Sequence, residues 1–160
     1  MTTTSFRAAC LATHSRTFLA VSALLVAGFL VGCGGEGAGG DGGDETITAS
    51  SEFLGLGGSG VTGQVDFTRD GGIITVEVLA ENIRDTGDHP SHIHEGTCRE
   101  PGGVVVPLTP ATVSEPGIVE AESQVELSDL PTGTSYVVMI HSQQGAPIGC
   151  AELPGELVER

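Results

Sequence analysis

Residues 61–79 read Val61-Thr62-Gly63-Gln64-Val65-Asp66-Phe67-Thr68-Arg69-Asp70-Gly71-Gly72-Ile73-Ile74-Thr75-Val76-Glu77-Val78-Leu79. Val61, Gly63, Val65 and Phe67 alternate with Thr62, Gln64, Asp66 and Thr68. Side chains two apart on a strand share a face, so this alternation predicts a strand with one buried side. Arg69-Asp70-Gly71-Gly72 supplies a hairpin turn. The β-branched run from Ile73 to Leu79 predicts the returning strand.

Working outward, the same pattern recurs at short intervals. Thr46 to Leu54 reads as a first strand and Asn82 to Asp88 as a loop. Residues 89–95 form a strand rich in histidine, and Val104-Val105-Val106 a short one ended by Pro107 and Pro110. Val119, Ala121, Ser123, Val125 and Leu127 alternate with Glu120, Glu122, Gln124 and Glu126, which predicts a strand with one acidic face. Ser135 to His141 is the most apolar strand and belongs in the centre of a sheet; Ile148 to Leu153 closes the set. No helical periodicity and no internal repeat interrupt them. About eight strands between residues 46 and 158 predict an all-β domain, an antiparallel Greek-key sandwich or flattened barrel.

The first 32 residues read as a targeting segment. Arg7 and Arg16 precede an apolar run from Phe18 to Val31, and Leu30-Val31-Gly32-Cys33 is similar to a bacterial lipobox. Cys33 would then carry lipid and become the new N-terminus, anchoring the chain to a membrane of the cell envelope on its extracytoplasmic side. A signal-anchor helix is the alternative, but the run is short for a membrane span. Residues 33–45 are Gly-rich and acidic and predict a flexible tether.

The charge balance excludes some partners. The chain holds 21 acidic residues against six arginines and no lysine, for a net charge of −15. All the acids lie beyond residue 32, so loss of Arg7 and Arg16 with the leader takes the net charge to −17. Such a surface does not bind nucleic acid or an anionic bilayer by charge. Cys10 departs with the leader and Cys33 takes lipid, leaving Cys98 and Cys150. Outside the cytoplasm an even pair suits a disulfide; two thiolate metal ligands are the other reading.

Three histidines fall within His89-Pro90-Ser91-His92-Ile93-His94-Glu95-Gly96-Thr97-Cys98. On a strand His92 and His94 share a face while Ile93 points to the other. Two neutral imidazoles side by side are half of a transition-metal site. Beyond the leader the remaining histidine is His141, at the end of the apolar strand. His92, His94 and His141 are therefore the candidate metal ligands, against packing or surface polarity as the plain alternative. Met139 shares a face with His141 and reads as a weak thioether ligand or as core filler. Gly55 to Gly60 is turn, since no helix follows it to make a phosphate loop, and no nucleophile elbow is present.

The order His89-x-x-His92-x-His94-Glu95, then Cys98, then a strand ending in His141, then Gly149-Cys150, resembles the copper/zinc superoxide dismutase family over roughly residues 46 to 153. Gly60 to Phe67 looks like that family's second strand. The resemblance implies a superoxide dismutase-like sandwich, copper held by His92, His94 and His141, and a Cys98–Cys150 disulfide. It implies that His89 and Glu95 orient the ligands from behind. The chain departs from the pattern in three places. Residues 99–130 contain no histidine, so no zinc site is predicted, and the fourth copper imidazole is missing. Pro147 stands where the family keeps an arginine in the substrate channel. The expected activity is copper-dependent dismutation of superoxide to hydrogen peroxide and oxygen, with superoxide or a copper ion as the small ligand. Two alternatives share the scaffold: a non-enzymatic copper-binding or buffering protein, and a metal-free structural module of the chordin type. Chordin-type domains also pair a strand-borne His-x-His with Gly- and Val-rich segments. Oligomeric state is not read from the sequence.

Overall fold

The computed structural model describes residues 45–160. The leader, Cys33 and the tether, Glu45 apart, lie outside the described residues. Ten strands run in chain order: β1 Ile47–Glu52, β2 Leu54–Gly55, β3 Thr62–Asp70, β4 Ile73–Glu81, β5 Ser91–Gly96, β6 Pro101–Pro107, β7 Thr112–Glu115, β8 Ile118–Glu126, β9 Tyr136–His141 and β10 Pro147–Leu153. The only helical turns among the described residues are 3-10 turns at Leu127–Asp129 and Gly155–Leu157.

The strands make two five-stranded antiparallel sheets, β1-β3-β4-β8-β7 and β2-β10-β9-β5-β6. They do not close into a barrel, so the sandwich form of the expected fold is the one adopted. Consecutive strands change sheets at β1–β2, β2–β3, β4–β5, β6–β7 and β8–β9, which produces the crossed connections of a Greek-key arrangement. The hairpin read from residues 61–79 is present in register, with Val65 opposite Val78 and Phe67 opposite Val76.

The alternation decides what is buried. Val65, Phe67, Ile74, Val76 and Val78 face inward from the first sheet and meet Ile93, Val138, Ile140 and Ala151 from the second. Ile93 is fully buried; one such side chain contributes about 1.5–3 kcal/mol by leaving water. The ends are closed by hydrogen bonds to backbone carbonyls. The Tyr136 hydroxyl donates to Pro131, and the Arg160 guanidinium donates to Leu127 and Leu130.

The two outer faces differ in chemistry. On the first sheet Asp66 lies opposite Glu77 and Glu77 opposite Glu122, a row of three acids across three strands. On the second sheet Val137, Met139 and Cys150 form a small apolar cluster on the side away from the main core, with Leu56 and Cys98 packed against it. A disulfide joins Cys98 to Cys150.

Candidate metal centre

The histidine cluster is built on that second outer face. With Ile93 turned into the core, the pleat sends His92 and His94 outward together. Strand β9 runs antiparallel beside β5, pairing His92 with Met139 and His94 with Val137. His141 lies two residues beyond Met139 on the same face, diagonal to His92, and its N–H donates to the Pro90 carbonyl at 2.9 Å. Ring centroids are 5.8 Å apart for His92–His94, 5.1 Å for His92–His141 and 5.6 Å for His94–His141. One ring nitrogen from each residue lies within 4.8 Å of the other two.

Backbone carbonyls set two of the tautomers. The Nδ1–H of His94 donates to Gly102 at 3.1 Å, and that of His141 donates to Gly145 at 3.2 Å. A carbonyl only accepts, so both rings carry their proton on Nδ1 and keep a lone pair on Nε2. Those two Nε2 atoms and the Nδ1 of His92 are buried and have no hydrogen-bond partner. Leaving buried polar atoms unpaired is costly, and such atoms call for a partner. Three lone pairs gathered in one place suit a cation. Metal–imidazole bonds of about 2.0–2.1 Å put tetrahedral ligand nitrogens about 3.4 Å apart, so a pair near the 4.8 Å limit must close by more than about 1 Å around an ion.

The surroundings of His92 and His141 favour the neutral form of each ring. Burial, then the imidazoles of His141 and His94, push the His92 pKa below the ordinary 6.5. For His141 burial lowers it first, the bond to Gly145 raises it in part, and His94 lowers it again; the net direction is down. No carboxylate is among the groups acting on either ring. Neutral imidazole is the form that binds a metal.

His89 stands apart from the cluster. It precedes β5 and forms an isolated bridge with Ala111. Its ring is fully buried, and its Nδ1–H donates to the His141 carbonyl at 3.0 Å. It therefore fixes the backbone of the third histidine instead of offering a nitrogen to the cluster. Glu95 is exposed, paired across the ladder with Tyr136, and no hydrogen bond among the described residues joins it to a histidine ring. The carbonyls of Gly102 and Gly145, which orient two of the rings, carried no signal in the sequence, because every residue has a carbonyl.

A sandwich of two antiparallel sheets with three imidazoles gathered on one outer face is a β-module bearing a histidine cluster. The model of the CHRD domain family matches residues 45–147, and the chain belongs to that family. No curated protein matches the sequence.

This match overturns the resemblance to copper/zinc superoxide dismutases. The His-x-His strand and the Gly102-Gly103-Val104-Val105-Val106 segment beside it belong to a CHRD domain. The dismutase and oxidoreductase readings are withdrawn with it. The physical reason lies in what the short motif specifies: a strand that turns two imidazoles outward, without the zinc-loop histidines or channel arginine that dismutase chemistry draws on. The preference for copper over zinc rested on the same resemblance and lapses too.

Proposed function

We propose that this CHRD module is an extracytoplasmic metal-binding domain holding one late first-row divalent ion, zinc or copper, on His92, His94 and His141. The observation that carries the reading is the convergence of three buried ring nitrogens without partners, two of them with tautomers set by Gly102 and Gly145. An all-imidazole set suits either ion. His89 would steady the set through the His141 carbonyl, as groups behind a ligand commonly do. The role is capture or storage of the ion at the cell envelope. The lipobox at Cys33, the glycine-rich tether and the Cys98–Cys150 disulfide support that location.

Calorimetric titration of the purified full chain with zinc and with copper tests this reading. One ion per chain is expected, with affinity falling at least tenfold in H94A. No stoichiometric uptake of either ion, with H94A indistinguishable from the parent, would end it. The family match favours a second reading, a metal-free structural sandwich. On that reading the thermal midpoint is the same with and without added ions.

A further inference from the structure

The contrast between the two outer faces bears on what reaches the histidine cluster. The first sheet presents Asp66, Glu77, Glu120 and Glu122 to solvent. The second presents an apolar surround. Val104 lies directly across the ladder from His94 and is 53 % exposed. A bulge lies between the pairs Ile93–Val106 and His94–Val104; Val105 and Val106 pack on the core, while Val104 stays outside. In the neighbouring row Leu54, 54 % exposed, continues through Cys150 and Met139 to His92. In the row of His94, Glu152 is separated from it by Val137 and accepts the Cys98 N–H, and Glu95, the next residue along β5, pairs with Tyr136 instead.

Three neutral imidazoles leave the double charge of a bound ion uncompensated, and a four-coordinate ion keeps one position open. His92 and His141 are partly exposed, so the cluster lies at the surface although its three unpaired nitrogens are buried. An anion complements the charge and an alkyl chain complements the valine beside it.

Resting on the metal-binding reading, we infer that the site takes a small carboxylate with a short alkyl tail, its oxygen on the open position of the ion and its hydrocarbon along Val104. The net charge of −15 repels anions at long range and keeps the affinity modest. Discrimination therefore comes from the tail. Each methylene covered by the valine strengthens binding about two- to fourfold.

The test uses the full chain loaded with cobalt(II), whose visible bands report a fourth ligand. Acetate, propionate, butyrate and valerate are titrated in turn. The expected result is affinity rising about two- to fourfold per methylene as far as butyrate. V104S should flatten the series, while V113S, on the other sheet, should leave it as it was. Equal affinities across the series, a rise that survives V104S, or no spectral response to any of the four overturns the inference while metal binding stands. Failure to take up cobalt, zinc or copper overturns both.

Discussion

Replacing Cys98 and Cys150 together by alanine removes a covalent link between the turn after β5 and the middle of β10. The two cysteines are 52 residues apart in sequence. In the chain-entropy treatment, closing a loop of that length restricts the unfolded chain by about 4 kcal/mol at 25 °C. Cys150 is fully buried beside Met139 and Val137, so the loss of its sulfur adds a small packing defect to the entropic term. Against a typical domain stability of about 5–15 kcal/mol, the double variant should unfold at a far lower urea concentration. Urea denaturation of oxidised parent, reduced parent and double variant measures the difference. The oxidised parent should be the most stable by about 2–5 kcal/mol, and the other two should lie close together. A loss under about 1 kcal/mol, or two free thiols in the oxidised parent beyond Cys10 and Cys33, would refute the reasoning.

Other outcomes can be checked on the same material. Glu77 faces acids on both neighbouring strands, and like charges directly opposite one another are destabilising, so E77Q should raise stability by about 0.5–1 kcal/mol, with the gain shrinking in 1 M salt. I93A empties a fully buried position between the sheets and should lower stability by about 2–5 kcal/mol in the same urea assay. The folded pKa values of His92 and His141 lie below 6.5, so the unfolded chain binds more protons as pH falls past that value. Their contribution is full above pH 6.5 and is lost as pH drops toward the lowered folded values; in metal-free protein the double variant H92N/H141N should show a shallower acid slope in its urea midpoint. H89F removes the donor to the His141 carbonyl, so zinc affinity should fall about 10–100-fold while zinc stoichiometry stays at one.

How much of this was legible in the sequence varies from element to element. Strands β3, β4 and β8 were readable because one face of each is buried, and burial writes the period-2 pattern; β9, buried on both faces, was readable as a continuous apolar run. The short strands β2 and β7 were missed: Leu54–Gly55 and Thr112–Glu115 are exposed throughout, so no hydrophobic alternation marks them. The strand at Val104-Val105-Val106 was read too short because Pro101 and the two glycines after it look like loop, yet an edge strand tolerates proline at its ends. The grouping of His92 with His94 followed from the pleat, whereas the arrival of His141 beside them depends on β9 pairing with β5, which no local pattern states. The family was misread for a related reason. The short histidine motif specifies a strand with two outward imidazoles, and sandwiches of more than one family use it.

The cluster is assembled from segments nearly fifty residues apart in the chain and exists only once β5 and β9 lie side by side. An unfolded chain offers His92 and His94 without their third companion, held in no fixed geometry. An ion can therefore be gathered by all three rings only after the sheet has formed, in whichever compartment the chain folds. On the proposed metal-binding reading, the metal supply of that compartment, rather than of the place of synthesis, would decide what the folded module carries.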